Sequence, residues 1–249
     1  MKGIVLAAGY ATRLYPLTKD RPKPLLPVAG RPIIDYIVDE MDTLEALDQI
    51  IVVTNHRFAA VFEEWAAERN RTGKKPVVVI DDQTTDDSNK LGAIGDIQFC
   101  VEQLGLDDEL LVIAGDNLFT YRLADAERYY RETQVDTILA RSMDQAEDLT
   151  RYAIAVMDPD GRLISLEEKP QQPKSNLAVF ATYFYRRDTV PMISQYLNEG
   201  NSPDAPGYFP AWLYQRKPMQ VYLFDGLCID IGTPESYRAV QDTFRVVRD

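Results

Sequence analysis

Short apolar runs alternate with amphipathic segments through the first 140 residues, and this alternation constrains the fold more than any other feature. The runs are rich in β-branched residues, which is typical of buried strands, whereas the segments between them carry apolar residues at helical spacing. We predict strands at 3–8, 49–54, 76–80, 109–114 and 136–140 and helices at 33–47, 58–67, 91–104 and 123–132. Strands that alternate with helices in this way favour a parallel sheet covered by helices on both faces.

The second half of the chain has a different pattern, in which several predicted strands follow one another directly. Asp158–Gly161 reads Asp-Pro-Asp-Gly, a turn signal typical of a hairpin. We predict strands at 152–157, 162–168, 177–185 and 219–231, the last with a bend at Gly226, and helices at 190–197, 210–215 and 235–246. The chain is therefore expected to form one α/β domain with two lobes, the second of which contains antiparallel strands.

The overall charge limits the classes of partner. The 249 residues include 27 lysines and arginines against 39 aspartates and glutamates, for a net charge of −12. This balance argues against nucleic acid or an anionic membrane as the main partner, because both require a basic surface. No apolar run approaches the roughly 18 residues of a membrane-spanning helix. Two isolated cysteines and one histidine argue against a disulfide framework and a histidine-rich metal site, so we expect a cytoplasmic protein with reduced thiols.

A loop rich in small residues and cations follows the first predicted strand. It starts at Leu6 as Leu-Ala-Ala-Gly-Tyr-Ala, and small residues let a backbone approach a ligand closely. Between Arg13 and Arg31 there are five cations and one acid, although the whole chain is acidic. Ligands of open α/β sheets bind at the carboxyl ends of the strands, where this loop falls. The loop is therefore a candidate polyphosphate site, and the alternative is a solvated cationic surface.

The order of residues in this loop resembles a family signature. Thr12–Thr18 reads Thr-Arg-Leu-Tyr-Pro-Leu-Thr, and Lys23 follows ten residues after Arg13, ahead of Pro27-Val28. The pattern resembles that of the sugar-1-phosphate nucleotidyltransferases and is far more specific than a lone GxGxxG. Neither a Walker A sequence nor GxGxxG is present, so P-loop and dinucleotide-binding interpretations lack support.

Three later stretches resemble the same family in the same order. Ala114–Asn117 resembles its Gly-Asp-Asn segment, Leu166–Val179 its sugar-site block, and Ile229–Glu235 its late Asp-x-Gly-Thr segment. The resemblance implies an α/β fold with a Rossmann-like three-layer nucleotidyltransferase core and a smaller mixed or antiparallel sheet that forms the acceptor site. It also implies one domain over 1–249, with a nucleotide-binding lobe at about 1–140, a sugar-phosphate-binding lobe at about 141–234, a C-terminal helix at about 235–249 and no C-terminal β-helix.

The resemblance further implies Mg²⁺-dependent transfer of a nucleotidyl group from a nucleoside triphosphate to a sugar-1-phosphate, with release of pyrophosphate. This chemistry needs positioning and charge stabilisation rather than a protein nucleophile. By resemblance, Arg13 contacts the leaving phosphates, Lys23 contacts the reacting phosphates, and Asp116 and Asp230 hold the Mg²⁺. Nucleotide contacts are expected from Leu6, Ala8, Gly9, Tyr10, Ala11, Thr12, Gln83 and Gly92. Acceptor contacts are expected from Tyr152, Ala153, Glu168, Lys169 and Val179.

Two segments depart from the family pattern and leave the substrates open. The stretch 81–93, where the family reads the base, is longer and acidic, so the base stays open among dTTP, UTP and CTP, with dTTP or UTP preferred. Tyr152-Ala153 stands where the family has Tyr-Gly, so the acceptor need not be glucose-1-phosphate. The alternatives are cytidylyl or uridylyl transfer to a non-glucose or non-sugar phosphate, and a catalytically silent regulatory protein that binds nucleotide-sugars. A homo-oligomer is compatible with the sequence.

Overall fold

A nine-stranded mixed sheet forms the centre of the protein in this computed structural model. The structure describes residues 1–144 and 148–248, with the backbone alone described at 230, 242, 243 and 245–248. The strands are β1 (Lys2–Leu6), β2 (Pro27–Val28), β3 (Arg31–Pro32), β4 (Gln49–Thr54), β5 (Val77–Asp81), β6 (Leu110–Ala114), β7 (Asn117–Phe119), β8 (Asp136–Ser142), β9 (Ala153–Met157), β10 (Leu163–Glu168), β11 (Leu177–Tyr185), β12 (Met219–Leu223) and β13 (Cys228–Asp230). The helices are α1 (Ile33–Met41), α2 (Ala59–Thr72), α3 (Ala93–Leu104), α4 (Leu123–Thr133), α5 (Val190–Asn198), α6 (Tyr208–Leu213) and α7 (Pro234–Arg248).

The parallel part of the sheet is built around β1. This strand pairs in parallel with β4 and β6, and β5 extends the sheet beyond β4. On the other side β11 pairs with β6 in antiparallel orientation and leads to β9 and β10, while β8 joins β11 and carries β12. The α/β class is confirmed.

The antiparallel strands predicted for the second half of the chain are continuous with the central sheet. The reason is the nine-residue length of β11. Its first residues, Leu177–Val179, pair with β9, and its last residues, Thr182–Tyr185, pair with β6. One strand therefore connects the parallel part of the sheet to its antiparallel part.

Alternate residues of the central strands pack on opposite faces of the sheet. In β1, Val5 packs in a cluster with Ile37 of α1 and Phe62 of α2. Its neighbour Ile4 packs on the other face, in a cluster with Ile97 of α3. Helices thus cover both faces, which explains why the strands read as continuous apolar runs rather than as alternating ones.

A third apolar cluster joins α7 to the loop after β1. Leu14 and Leu26 of that loop are buried together with Val240 and Phe244 of α7. The Tyr237 hydroxyl donates to the carbonyl of Pro27 at 2.7 Å. The C-terminal helix therefore braces the loop predicted to hold phosphate.

The helix predicted at 33–47 is shorter in the structure, where α1 ends at Met41. The chain tightens there into i→i−3 hydrogen bonds, because Thr43 N donates to Glu40 O at 3.0 Å. The Asp42 carboxylate accepts backbone N–H groups of the turn that follows α2. Asp42 N still donates to Val38 O at 2.8 Å, and beyond this last helical bond Leu44 and Leu47 stay buried.

The single strand predicted at 219–231 is also wrong, because the structure has two strands in different sheets. β12 pairs in parallel with β8, whereas β13 pairs in antiparallel orientation with β7. Gly226 lies between them with a φ of 113°, a conformation that glycine adopts far more readily than other residues. The chain changes direction there.

Candidate functional site

A cleft of about 710 Å³ opens at the carboxyl ends of β1 and β6. Leu6 and Ala114, the last residues of these two strands, lie in register and both line the cleft. Parallel strands end at the same edge of a sheet, so the loops that follow them meet there. The cleft is where the sequence predicted a ligand.

The loop after β1 forms one wall of this cleft. Gly9, Ala11 and Arg13 line it. Ala11 has a φ of 48°, and the Thr18 hydroxyl donates to its carbonyl at 2.8 Å. Leu14 is buried against α7, which leaves the neighbouring Arg13 exposed at the cleft. A guanidinium in this position suits the paired oxygens of a phosphate chain.

An ion pair lies where the two strand-end loops meet. Lys23 Nζ donates to Asp116 Oδ2 at 2.8 Å, and the lysine side chain is 9% exposed against 35% for the aspartate. Gly115 lets the end of β6 lie close to the end of β1, because a Cβ at this position would lie 2.9 Å from the Leu6 carbonyl oxygen. The cleft therefore holds a fixed cation beside a carboxylate that solvent and ligands can reach.

Asp116 and Asp230 are the predicted metal ligands. The backbone of Asp230 pairs with Asn117, the residue after Asp116, while the Asp230 side chain lies outside the described part of the structure. Carboxylate oxygens are hard ligands of the kind Mg²⁺ prefers, and Mg²⁺ usually takes its other ligands from phosphates and water. Among the described side chains no group of three acidic, histidine or cysteine residues could hold a metal. The donor chemistry fits a Mg²⁺ bound partly by substrate.

A smaller pocket of about 130 Å³ adjoins the main cleft. Tyr152, Ala153, Glu168 and Val179, four of the five residues predicted to contact the acceptor, line it. The fifth, Lys169, lines the main cleft. The residues that line both cavities are Asn117, Arg151, Ala181 and Pro206. A ligand in the pocket would therefore be adjacent to one in the cleft.

Glu168 brings a largely buried carboxylate to this pocket. Burial raises its pKa, and the charge of Lys169 acts in the opposite direction. Lys169 Nζ lies 3.8 Å from Glu168 Oε1, with the lysine backbone at a φ of 47°. This bend directs two successive side chains to two cavities, an acceptor of hydrogen bonds to one and a cation to the other.

Five predicted nucleotide contacts are not among the described residues that line the cleft: Ala8, Tyr10, Thr12, Gln83 and Gly92. Ala8 is buried, and its carbonyl accepts from Asn55. Thr12 and Gln83 are exposed, and Gly92, at a φ of 79°, packs against Pro203. Their roles stay predictions.

Tyr10 is buried in a network behind the cleft. Its hydroxyl lies 3.2 Å from Thr84 Oγ1, which in turn donates to Asp82 Oδ1 at 2.7 Å. Asp82 and Asp96 of α3 are both buried, and each carboxyl acts on the pKa of the other. Burial and the neighbouring Asp82 charge raise the pKa of Asp96 to about 8. The direction of this pKa shift favours a protonated Asp96 beside Asp82, where α3 packs against the segment predicted to read the base.

Sequence reasoning missed several residues that line the cleft. Asn117 belongs to the Gly-Asp-Asn segment but was not predicted as a contact, and Arg151 directly precedes Tyr152. Lys90 also lines the cleft and forms an ion pair with Asp204 at 3.2 Å. A single cation inside the acidic stretch 81–93 was the available signal for Lys90. Nothing in the sequence signalled Asp204, because its loop reaches the cleft only through tertiary packing.

The fold and the site together define an α/β protein with a cleft at the carboxyl ends of its parallel strands and a smaller pocket beside it. Residues 2–245 match the family model described as nucleotidyl transferase. The chain belongs to the nucleotidyl transferase family, and the resemblance found in its sequence is confirmed.

Similar proteins bear related names. A glucose-1-phosphate thymidylyltransferase of Neisseria meningitidis is 32% identical over 200 residues, which cover 78% of this chain and 65% of that protein. A UTP–glucose-1-phosphate uridylyltransferase of Synechocystis is 27% identical over 248 residues, which cover 97% of this chain and 63% of that protein. The chain thus spans less than two thirds of the length of both relatives. A solved UDP-glucose pyrophosphorylase complexed with UDP-glucose has a TM-score of 0.82 and 22% identity, with 99% of each chain covered.

No helix in the described part of the chain is long and apolar enough to cross a membrane. Both cysteines, Cys100 and Cys228, are free and buried.

Proposed function

We propose that the protein transfers a nucleotidyl group from a nucleoside triphosphate to a sugar-1-phosphate and releases pyrophosphate. The observation that carries this proposal is the Lys23–Asp116 ion pair in a cleft that adjoins the Glu168 pocket. A phosphate oxygen of the acceptor attacks the α-phosphorus, and the bond from this phosphorus to the bridging oxygen of the β-phosphate breaks. Positioning and charge stabilisation supply most of the rate enhancement in such reactions.

Each residue of the cleft and of the adjoining pocket has a role that follows from its position. Arg13 binds the leaving phosphates with its guanidinium, and Lys23 stabilises the charge that develops around the α-phosphate. Asp116 and Asp230 are the candidate ligands of a Mg²⁺, which when bound neutralises phosphate charge. Glu168 accepts hydroxyl groups of the sugar.

For the base we propose dTTP or UTP, with a hexose-1-phosphate as acceptor. The names of the relatives, thymidylyl- and uridylyltransferases of glucose-1-phosphate, support this choice. Ala153, in place of the glycine of the family pattern, lines the acceptor pocket and narrows it, so the preferred hexose need not be glucose. A cytoplasmic location and a homo-oligomer stay predictions.

Pyrophosphate release with Mg²⁺ tests the proposal when each nucleoside triphosphate is crossed with a panel of acceptors. The panel contains glucose-1-phosphate, other hexose-1-phosphates and phosphocholine. Turnover confined to dTTP or UTP with one hexose-1-phosphate is the expected result. Turnover with phosphocholine alone would replace the acceptor class, and silence with nucleotide still bound would favour a binding protein.

A further inference from the structure

Gly207 lies where the Glu168 carboxylate needs space. The glycine directly precedes α6 and lines the acceptor pocket together with Glu168. A Cβ at Gly207 would overlap Glu168 Oε2 and would lie 3.3 Å from its Cδ. The φ of Gly207 is −71°, which any L-residue adopts. The close contact is with the end of the Glu168 side chain, so a side chain at 207 would displace this carboxylate without straining the backbone of residue 207.

The backbone of Gly207 is held in place from both sides. Preceding it, the carbonyls of Pro203 and Asp204 accept N–H groups at the start of α3, at 2.9 and 3.2 Å. Following it, Ala211 N donates to the Gly207 carbonyl at 3.2 Å within α6. A Cβ on Gly92, under this segment, would lie 2.6 Å from Pro203 O, so the packing is tight. The segment cannot readily withdraw to admit a methyl group.

Glu168 has little freedom to move away from Gly207 except into the pocket. It pairs with Ala153 at the end of β10, and the Ala153 Cβ lies 3.6 Å from the position of a Gly207 Cβ. Its side chain is 11% exposed. A methyl group at 207 would thus push the carboxylate toward the space that the acceptor is expected to fill.

We propose that Gly207 is a positioning residue that seats Glu168 so that its carboxylate accepts the hydroxyls of the acceptor. This inference rests on the proposed function, because it assigns the pocket to the acceptor. Gly207 makes no side-chain contact with substrate and acts only through Glu168. It therefore sets acceptor affinity without setting nucleotide affinity.

The test compares Gly207→Ala, Glu168→Ala and the double variant with the unmodified protein. The first readout is the KM for the acceptor and for the nucleotide, measured separately. The second is the urea midpoint of unfolding, which does not depend on activity. Gly200→Ala is the control: it lies in the same loop at a φ of 80°, and a Cβ there meets nothing within 4 Å.

Gly207→Ala is expected to raise the acceptor KM by roughly tenfold to a hundredfold, the range of a lost hydrogen bond to a charged group, and to leave the nucleotide KM within about twofold. In the Glu168→Ala background the same change should add little to the acceptor KM and little to the midpoint shift. Gly200→Ala should lower the midpoint through backbone strain and leave both KM values near those of the unmodified protein.

Two results would overturn the inference. Additive midpoint shifts would mean that Glu168 is not what excludes a side chain at 207. Coupled midpoint shifts with an unchanged acceptor KM would mean that the seated carboxylate does not serve the acceptor. Absence of turnover in the unmodified protein would instead contradict the proposed function and the acceptor role with it, while the unfolding cycle would still decide the contact between Gly207 and Glu168.

Discussion

At the residue scale, the central contact of the cleft is the ion pair between Lys23 and Asp116. The lysine is nearly buried, and its ammonium is 2.8 Å from the carboxylate. Removal of Lys23 takes this cation away from Asp116, and loss of one partner of a buried ion pair costs more than the pair itself contributes. The same contact therefore matters for both the shape and the chemistry of the site.

Lys23→Ala tests the catalytic role of this cation. We expect kcat/KM for pyrophosphate release to fall by roughly 10²–10⁴, because charge on the reacting phosphates loses its stabilising partner. Lys19→Ala is the matched control, since Lys19 is an exposed cation of the same loop that is not among the described residues lining the cleft. A loss below tenfold in Lys23→Ala, or an equal loss in Lys19→Ala, would contradict the role.

The Asp82–Asp96 pair predicts how stability depends on pH. The pKa of Asp96 is raised to about 8, so the folded protein holds this proton more tightly than the unfolded chain does. Stability from this group is full below the unfolded pKa of about 3.9 and is lost as pH rises toward 8. Ionisation would also place two carboxylates side by side in the interior.

Asp96→Asn mimics the protonated carboxyl and removes this titration. We expect the variant to unfold at a higher urea concentration than the unmodified protein at pH 8.5 and at a similar concentration at pH 5. Asp86→Asn serves as control, because hydrogen bonds from Ser88 lower the pKa of this neighbouring, exposed carboxyl. Equal effects of Asp96→Asn at both pH values would mean that Asp96 does not retain a proton when folded.

The residues that carry these predictions differ in how far their roles could be predicted from the sequence. Arg13 and Lys23 belong to one continuous motif whose spacing fixes them in a single loop. Asp96 and Gly207 carry no such signal, because their importance comes from neighbours far away in the chain, Asp82 and Glu168. A buried carboxyl in α3 looks like any solvated helical aspartate until its surroundings are known.

At the element scale, α7 packs against the loop after β1, which is predicted to hold phosphate, and stabilises it. Phe244 is fully buried beside Leu14, and Tyr237 and Gln241 both donate to the Pro27 carbonyl at 2.7 Å. Arg13 is adjacent to Leu14, so its position depends on this packing. We expect changes in α7 to reach the nucleotide through the loop rather than through direct contact.

Phe244→Leu tests this brace against Phe62→Leu, which removes a similar buried ring from α2 on the main sheet. Each change is expected to cost about 1–2 kcal/mol of unfolding free energy. Only Phe244→Leu should raise the nucleotide KM severalfold, because only it loosens the loop that carries Arg13. An equal KM increase in both variants would assign the effect to general destabilisation.

The sequence was informative about most elements and weak about strand partners. The strand at 177–185 is observed with the predicted bounds. Its apolar residues are continuous, and charged or polar residues stand directly before and after it. The pattern of 219–231 favours one strand bent at Gly226, yet the stretch divides between two sheets. The spacing of apolar residues in a sequence indicates which side chains are buried. It does not indicate whether a strand pairs with β8 or with β7, because the side chains are buried in either case.

At the scale of the whole molecule, an acidic protein carries a cationic segment, and two of its cations, Arg13 and Lys23, line the cleft. The net charge is −12, whereas 13–31 contains five cations and one acid. Such a local field attracts a polyphosphate while the rest of the surface repels it, and salt screens exposed charges strongly. Nucleotide binding should therefore weaken with ionic strength.

The expected result is a severalfold rise in nucleotide KM between about 0.05 and 0.5 M NaCl, with kcat at saturation changed much less. The urea midpoint at the same salt concentrations separates this effect from a change in stability. A nucleotide KM that is insensitive to salt would mean that the cations of 13–31 do not act on the nucleotide.

The central claim is the transfer of a nucleotidyl group in this cleft, and the fate of the α-phosphate tests it most directly. The measurement follows dTTP or UTP labelled at the α-phosphate, with a hexose-1-phosphate and Mg²⁺, and a parallel sample labelled at the γ-phosphate. We predict that the α-label appears in the nucleotide-sugar and the γ-label in pyrophosphate. Retention of both labels in the triphosphate with every acceptor, or release of the γ-label as single phosphate, would contradict the claim.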